Sequence, residues 1–320
     1  MKPYVFIARK MPEEIVNKLA DRYEVGMWEK EEEPVPKERL AEECQKADAV
    51  FCTITEAMSG DMLRQSPKLK VIATMAVGYN NIDIETAAEL GIKVAHTPEV
   101  LTETTADLTF ALLMAAARRV EEAALSIKQN QWSSWSPFHL TGRDVFGATL
   151  GIIGMGRIGE AVARRAAGFN MEVLYHNRSR KKEAEDRLGV IYTGKNELIE
   201  RADFLCVMAP YSKDTHHLIG KEEFRRMKPT AILINSSRGG VVDEKALYQA
   251  LQNKEITGAG LDVFENEPID SAHPLLELSN VTATPHIGSA SVKTRMAMAH
   301  MTADHILQAL SGEELTHRVV

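Results

Sequence analysis

The sequence predicts an α/β protein with two parallel sheets, and three observations support that prediction. Short apolar segments alternate with helical segments from one end of the chain to the other, which is typical of parallel α/β folds. The chain has 320 residues, which is enough for about two domains of the usual size. Hydrophobic residues make up 44% and charged residues 26% of the chain, and these ordinary globular values exclude a disordered or fibrous protein.

Charge and cysteine content limit the partners and the compartment. Lys and Arg total 38 and Asp and Glu total 45, and a net charge of −7 argues against a nucleic-acid-binding protein. No apolar run approaches the roughly 20 residues of a membrane span, so we expect no membrane association. Cys44, Cys52 and Cys206 lack metal or redox spacing, and the chain start has no signal-peptide pattern. We therefore expect a cytoplasmic protein without a metal site.

The first hundred residues predict a small parallel sheet. The predicted strands are Tyr4–Ala8, Ala49–Phe51, Val71–Thr74 and Lys93–Ala95. Helical segments such as Glu13–Ala20 and Pro36–Lys46 lie between them, and the acidic stretch Glu29–Glu33 is predicted to be a solvated loop.

One long helix is predicted next. It opens at Leu101 and runs through Asp107–Ala124, with threonines available to cap it. The polar and aromatic segment 129–142 follows, and a loop of this length is usually functional.

A second alternating series begins at Thr149 and predicts a larger sheet, which the helix Ser291–Leu310 follows, ending at Gly312. Six strands with intervening helices are the number in a complete dinucleotide-binding sheet. The predicted strands are Thr149–Ile153, Met171–Tyr175, Phe204–Val207, Ile232–Asn235, Gly258–Asp262 and Val281–Ala283.

A glycine-rich turn follows the first of these strands and precedes an Ala-rich helix. Gly154, Gly156 and Gly159 have the spacing GxGxxG, and the strand before them and the helix after them are the context that makes this pattern informative. The turn lets backbone amides approach a pyrophosphate, and the helix N-terminus favours the anion. The alternative is a strand–turn–helix without a ligand. We expect cofactor contacts at Gly154, Gly156, Arg157, Ile158 and Gly159.

The end of the next strand indicates which dinucleotide binds. An NAD enzyme places Asp or Glu about 20 residues beyond the glycines, whereas this chain has Asn177. Arg178, Ser179 and Arg180 follow, and they suit a 2′-phosphate because arginine binds phosphate through two parallel hydrogen bonds. A solvated basic helix start is the alternative. We predict NADP(H) as the cofactor, with NAD as a second possibility, and include Asn177 among the cofactor contacts.

Three further segments place reactive residues at strand ends, where open α/β sheets bind ligands. They are Asn235-Ser-Ser-Arg238, Leu261-Asp-Val-Phe-Glu-Asn-Glu267 and Thr284-Pro-His286. With the glycine turn ahead of them, and with Val77-Gly78 near the front, the chain resembles the D-isomer-specific 2-hydroxyacid dehydrogenase family over its whole length.

The resemblance implies a reaction and a set of site residues. His286 would protonate the carbonyl oxygen of a 2-keto acid during hydride transfer. Glu267 would orient its ring and keep it charged near neutrality, and Arg238 would bind the substrate's carboxylate and carbonyl oxygen. Backbone amides of Val77 and Gly78 would also hold the carboxylate. The cofactor would further contact Ser236, Ser237 and Asp262.

Two segments, Thr102–Arg119 and Asn177–Lys181, resemble those of a narrower branch, the glyoxylate/hydroxypyruvate reductases and 2-ketogluconate reductases. This resemblance implies NADPH-dependent reduction of small 2-keto acids to D-2-hydroxy acids. It also implies a homodimer, in which Trp135 reaches towards the partner's substrate site. Two alternatives stay open, namely an NAD-preferring D-2-hydroxyacid dehydrogenase and a dinucleotide-gated corepressor-like scaffold of the same fold.

The motifs also change the expected domain order. We predict two Rossmann-like, doubly wound parallel-sheet domains, with the cofactor domain inserted into the substrate domain. The substrate domain would comprise residues 1–100 and 289–320, and the dinucleotide-binding domain residues 101–288. His216 and His217 are adjacent, and we expect their side chains to point apart and bind no metal.

Overall fold

The structure is a computed structural model that describes residues 2–320. The chain forms two compact units, Met1–Leu101 with Ser291–Val320 and Thr102–Ala290. Each unit contains one sheet in which every strand pair is parallel, so the predicted fold class of two parallel α/β domains is confirmed. Within residues 2–320, no helix has the length and apolar character needed to cross a membrane.

The first unit is a five-stranded sheet covered by helices on both faces. Its strands, in the order β2-β1-β3-β4-β5, are β1 (Tyr4–Ile7), β2 (Glu24–Met27), β3 (Ala49–Cys52), β4 (Val71–Thr74) and β5 (Lys93–Ala95). Its helices are α1 (Glu13–Ala20), α2 (Lys37–Lys46), α3 (Gly60–Arg64), α4 (Ile84–Glu89) and, at the chain end, α12 (Val292–Ser311). Alternate side chains of each strand bury against α1 and α12 on one face and against α2, α3 and α4 on the other.

The second unit contains a seven-stranded sheet. Its strands are β6 (Thr149–Ile153), β7 (Glu172–His176), β8 (Ile191–Tyr192), β9 (Phe204–Val207), β10 (Ile232–Asn235), β11 (Gly258–Leu261) and β12 (Val281–Ala283). Their order across the sheet is β12-β11-β10-β9-β6-β7-β8. Its helices are α5 (Thr102–Ala117), α6 (Val120–Lys128), α7 (Arg157–Ala167), α8 (Lys182–Leu188), α9 (Lys195–Arg201), α10 (Lys221–Arg226) and α11 (Glu244–Gln252). The strand order reverses between β6 and β9, and the carboxyl ends at such a point form the usual ligand site of the fold.

Three sequence predictions about elements are wrong. The predicted single helix through Ala124 is in fact two helices, α5 and α6. Arg119 between them adopts a left-handed backbone with φ of 53°, which interrupts the helical conformation. The larger sheet has seven strands, since the two-residue strand β8 was not predicted. The strand β2 was missed as well, because only Val25 and Met27 in it are clearly apolar.

Candidate active site

The glycine-rich turn connects β6 to α7 at the point where the strand order reverses. Gly154 has a φ of 105°, and a Cβ atom there would lie 2.6 Å from the backbone nitrogen of Ala209, so only glycine fits. Gly156 immediately precedes α7 and is exposed, and a Cβ atom on it would meet no atom within 4 Å. The turn therefore leaves open space directly in front of a helix N-terminus.

The first turn of α7 is suited to a phosphate group. Within residues 2–320, no side chain of the N-cap residue bonds to the amides at the start of this 11-residue helix, and such amides together with the helix dipole attract anions. Arg157 is exposed at the first helical position, Ile158 is half-buried and Gly159 is buried against the strand. The residues present fit the pyrophosphate of a dinucleotide, which would bind on these amides.

Asn177 has a role in the turn that its position in the sequence did not indicate. Its Oδ1 accepts a hydrogen bond from the Met155 backbone N–H at 2.7 Å, and its Nδ2 donates to the Met155 carbonyl oxygen at 3.2 Å. Both ends of the side-chain amide thus hold the middle of the glycine-rich turn. The predicted cofactor contact at Asn177 stays a prediction.

The basic stretch after β7, residues 178–182, is exposed, but within residues 2–320 some of its side chains already pair with carboxylates and others do not. Arg180 donates two hydrogen bonds to Glu185, and Lys181 pairs with Glu160 at 3.4 Å. The hydrogen bond from Arg180, followed by that from Tyr175, lowers the pKa of Glu185 to about 2, so the Arg180 pair is ionic. Exposed Arg178 has no hydrogen-bond or ion-pair partner within residues 2–320. Ser179 beside it is exposed too.

The segment after β10 is built on Asn235. Its Oδ1 accepts hydrogen bonds from the backbone N–H and the hydroxyl of Ser237, and its Nδ2 donates to the Arg238 carbonyl oxygen at 3.0 Å. Ser236 is buried, with its hydroxyl 2.6 Å from that of Thr109. We did not predict Asn235 as a site residue, although a polar side chain ending an otherwise apolar strand is a signal that could have identified it.

His286 and Glu267 lie together in the structure. The Nδ1 atom of His286 is 2.6 Å from Glu267 Oε2, and both side chains are partly exposed. Because a carboxylate only accepts, Nδ1 carries the proton, and Nε2 has no partner within residues 2–320. Burial raises the pKa of Glu267, but the hydrogen bond and charge of His286, with smaller effects of Phe264 N–H and Arg238, bring it below its usual value. Glu267 is therefore a carboxylate that orients the ring.

Asp262 holds the segment that carries His286. Its buried carboxylate accepts hydrogen bonds from the Thr284 hydroxyl at 2.7 Å and from the Ile287 and Gly288 backbone N–H groups at 2.8 Å. The His286 N–H donates to the Asp262 carbonyl oxygen at 2.9 Å, while His286 itself has a φ of 51°. Asp262 thus stabilises an unfavourable backbone conformation at His286. The predicted cofactor contact at Asp262 stays a prediction.

Arg238 is half-buried close to the same carboxylate. Burial lowers its pKa and the charge of Glu267 raises it, and one of its terminal nitrogens donates to the Ser237 carbonyl oxygen at 2.7 Å. Gly239 brings the two segments together, since a Cβ atom there would lie 1.8 Å from the Phe264 carbonyl carbon. The structure therefore places Arg238, Glu267 and His286 in the same unit, where Glu267 interacts electrostatically with both other side chains.

Three predicted site residues belong to other parts of the chain. Val77 and Gly78 belong to the first unit, in the segment after β4, and both are partly buried. Trp135 lies in the segment between α6 and β6, and 77% of it is exposed.

The adjacent histidines differ from the prediction. The rings of His216 and His217 stack with their centroids 3.8 Å apart, because His217 has a φ of 50° that turns its side chain back. His217 also lies 2.9 Å from Glu265 Oε1. Within residues 2–320 no group of three or more His, Cys, Asp or Glu side chains has the arrangement of a metal site.

A phosphate-binding turn at the reversal point of a parallel sheet, with a His–Glu pair and an arginine at neighbouring strand ends, defines an NAD(P)-dependent oxidoreductase. The family model described as D-isomer specific 2-hydroxyacid dehydrogenase, NAD binding domain, matches residues 110–288. The chain therefore belongs to the D-isomer-specific 2-hydroxyacid dehydrogenase family.

Individual relatives match nearly the whole chain. It is 49% identical over 314 residues to the glyoxylate reductase of Korarchaeum cryptofilum, covering 98% of this chain and 94% of that protein. Against the glyoxylate reductase of Pyrococcus furiosus the identity is 45% over 317 residues, with the same coverage of 98% and 94%. The structure of an NADPH-dependent glyoxylate/hydroxypyruvate reductase from Sinorhizobium meliloti, in complex with NADP and malonate, is similar with a TM-score of 0.89. It is 32% identical, and the match covers 100% of this chain and 97% of that one.

Proposed function

We propose that the protein reduces small 2-keto acids to D-2-hydroxy acids with NADPH, and that its substrates are glyoxylate, hydroxypyruvate and 2-ketogluconate. The observation that carries this proposal is the 2.6 Å contact between His286 Nδ1 and Glu267, close to Arg238. NADPH, when bound, supplies the hydride that reduces the carbonyl carbon. The residues of the chain must then protonate the oxygen and hold the acid in place.

His286 is the proton donor in this proposal. Its Nδ1–H is bound to Glu267, so Nε2 is the atom left to give a proton to the developing alkoxide. The Glu267 carboxylate stabilises the protonated ring by charge, and the Asp262 hydrogen bonds fix the backbone that aims it. In the oxidation direction the same nitrogen takes the proton back.

Arg238 binds the substrate by its charge. A guanidinium donates two parallel hydrogen bonds to a carboxylate or to a carboxylate and a neighbouring carbonyl oxygen, which positions the acid and polarises the carbonyl. Glu267 and the Ser237 carbonyl oxygen orient the arginine. We also propose that the backbone amides of Val77 and Gly78 bind the carboxylate.

A spectrophotometric assay tests the proposed activity. The pure protein with NADPH and each of the three acids should consume the reduced cofactor, and the product should be the D isomer. His286→Ala should reduce kcat by about 100-fold or more, as expected for loss of a general acid, while NADPH binding, followed by its fluorescence, stays unchanged. The proposal is rejected if none of the acids is turned over.

The preference for NADPH rests on residues 177–180. No carboxylate is present to accept hydrogen bonds from a ribose 2′-hydroxyl at Asn177, and the Arg178 guanidinium has no partner within residues 2–320. Arg178 is therefore the cation we assign to the 2′-phosphate, with the Ser179 hydroxyl beside it. Arg180 is already bound by Glu185 and contributes less.

Substitution of Arg178 tests this assignment. Arg178→Ala should lower the ratio of kcat/KM with NADPH to kcat/KM with NADH by about tenfold or more, since a hydrogen bond to a charged group contributes about 1.5–3 kcal/mol. Arg187→Ala is the matched control, because Arg187 is exposed on neighbouring α8 and pairs with Glu160. An unchanged ratio in Arg178→Ala would show that the basic stretch does not select the cofactor.

We also propose a homodimer in the cytoplasm. Helix α6 buries none of its residues, and three of its apolar side chains are exposed. Four aromatic side chains follow in the segment up to β6, and a large exposed apolar surface of this kind marks an interface. These residues are Val120, Leu125, Ile127, Trp132, Trp135, Phe138 and Phe146.

The cytoplasmic location is supported by the cysteines. All three are free, buried thiols, which suits a reducing compartment.

Sedimentation tests the homodimer. The protein should sediment at twice its 35.5 kDa mass, and Ile127→Asp should shift it to the monomer because a charge would be buried in the interface. Val292→Asp is the control and should leave the mass unchanged, since Val292 is on the first unit and is 84% exposed, compared with 62% for Ile127.

A further inference from the structure

His96, immediately after β5, is hydrogen-bonded to the segment for which we propose substrate binding. Its Nδ1 atom lies 2.8 Å from the carbonyl oxygen of Val77. The next residue, Thr97, donates its backbone N–H to the Ala76 carbonyl oxygen, also at 2.8 Å. Two consecutive carbonyl groups of the segment after β4 are therefore held by two consecutive residues after β5.

These two hydrogen bonds fix the direction of two amides. In a trans peptide unit the carbonyl group and the following N–H lie in one plane and point in opposite directions. Holding the Ala76 and Val77 carbonyls therefore points the Val77 and Gly78 N–H groups away from β5. Neither of these N–H groups has an acceptor within residues 2–320. The segment thus presents two oriented donors, which is an arrangement that binds anions.

The chemistry of the contact assigns the proton on His96. A carbonyl oxygen only accepts, so Nδ1 of His96 carries hydrogen and donates it. The ring makes an edge-on contact with Tyr79 at 5.5 Å between centroids. The backbone of His96 is held separately, since its N–H donates to the His317 carbonyl oxygen at 3.3 Å. The donor is therefore fixed in place.

We propose that His96 is a positioning residue for substrate binding, which acts by holding the Val77 carbonyl so that the Val77 and Gly78 amides face the substrate carboxylate. This inference rests on the proposed function, because it concerns the same carboxylate. It predicts that loss of the donor weakens binding of the acid without slowing the chemical step. His96 does not touch the reacting atoms, so kcat stays the same.

A matched pair of substitutions separates the hydrogen bond from the bulk of the side chain. Asn and Leu have nearly the same shape, and Nδ2 of Asn occupies the position of Nδ1 of His. His96→Asn should keep KM for glyoxylate within about twofold of the wild-type value. His96→Leu should raise KM about fivefold to tenfold, which corresponds to one lost hydrogen bond, with kcat and the Kd of NADPH unchanged. If His96→Leu does not fold, His96→Gln, whose amide lies one carbon further out, replaces it with the same expectation.

Calorimetric binding of oxalate, a non-reacting analogue of glyoxylate, is measured for all variants with NADPH present. Turnover by the wild-type protein with equal KM and oxalate affinity in the Asn and Leu variants would overturn the role of His96 and leave the proposed function standing. No turnover, with oxalate affinity lost in Leu and kept in Asn, would reject the function but support the positioning. Absence of both turnover and oxalate binding would reject both. A loss of kcat in His96→Leu, with KM and oxalate affinity unchanged, would reject the positioning role and leave the proposed function standing.

Discussion

At the scale of single residues, three buried or partly buried polar side chains hold the backbone of the candidate site. Asn177 holds the glycine-rich turn, Asn235 the segment of Arg238, and Asp262 the segment of His286. Each is a polar side chain at or just beyond the end of a strand, with all its hydrogen bonds directed at main chain or a neighbouring hydroxyl. The reactive groups could be predicted from the sequence, because they form motifs. The holding roles of Asn177 and Asp262 could not, because their partners lie 22 to 26 residues away along the chain. Asn235 differs, since it bonds to Ser237 and Arg238 in its own loop and could have been identified.

Glu267 provides the first prediction. Glu267→Gln should lower kcat for keto-acid reduction about 100-fold, because a neutral amide accepts the Nδ1 hydrogen bond but does not balance the charge of a protonated ring. The pKa of Glu267 lies below its usual value of 4.5, so its charge is present above pH 4.5 and is lost only as the pH falls further. Glu267 is therefore charged throughout pH 5 to 8, and the Gln variant should be slower than the wild-type protein at every pH in that range.

Glu265 is the control for that substitution. It also pairs with a histidine, since its Oε1 lies 2.9 Å from His217 Nε2. Glu265→Gln should keep kcat within a few-fold of the wild-type value. Equal losses in the two variants would mean that Glu267 acts on folding and not on His286.

Asp262 provides the second prediction. Asp262→Asn should lower the free energy of unfolding by about 1–3 kcal/mol, because the amide nitrogen of Asn faces a donor where the carboxylate accepted one. Urea unfolding at pH 7 measures the change. Exposed Asp270→Asn, which keeps its Oδ1 acceptor for the Ala272 N–H, is the control and should be within about 0.5 kcal/mol of wild type. An unchanged free energy of unfolding in Asp262→Asn would show that these hydrogen bonds do not stabilise the segment.

At the scale of elements, apolar runs of four or five residues were predictable and irregularities were not. The strands β4, β6, β9 and β10 match the predicted bounds because they are buried on both faces and each contains a continuous run of apolar or glycine residues, with at most one polar residue at an end. Strand β2, at the sheet edge, is only partly buried and has no such run. The break between α5 and α6 is at Arg119, where no Gly or Pro marks the end of a helix.

Helix ends provide the third prediction. Two helices are followed by a residue with a left-handed backbone, which glycine adopts easily and lysine does not. Gly312 follows α12 with a φ of 83°, and Lys254 lies just beyond α11 with a φ of 58°. Gly312→Ala should cost about 1 kcal/mol of unfolding free energy, because a Cβ atom is unfavourable there. Lys254→Gly should gain about 0.5–1 kcal/mol for the same reason. Thermal and urea unfolding measure both, and changes of equal sign would contradict the argument.

At the scale of the whole molecule, overall charge and local charge have opposite signs. The chain carries a net charge of −7, yet Arg157, Arg178 and Arg238 lie in the unit that binds the multiply anionic cofactor. Composition predicted a mildly acidic two-domain protein, but only the order of the motifs indicated that residues 1–100 and the C-terminal helix form one domain.

Stability in acid is also a property of the whole fold, and it depends on buried groups that no motif marks.

His305, buried in α12, determines the last prediction. Burial, and then the charges of His317 and His96, lower its pKa from 6.5 to about 4, with Asp304 opposing. Between pH 6.5 and 4 the unfolded chain therefore binds a proton that the folded chain does not, so folding stability falls as the pH falls through this window, by at most about 3 kcal/mol. The difference in unfolding free energy between pH 7 and 5, measured with urea, should be smaller for His305→Gln than for the wild-type protein. His300→Gln is the control, because His300 is exposed on the same helix beside Glu14 and such surface pairs contribute less than about 1 kcal/mol. An equal pH dependence in His305→Gln and wild type would show that His305 is not the group that weakens the fold in acid.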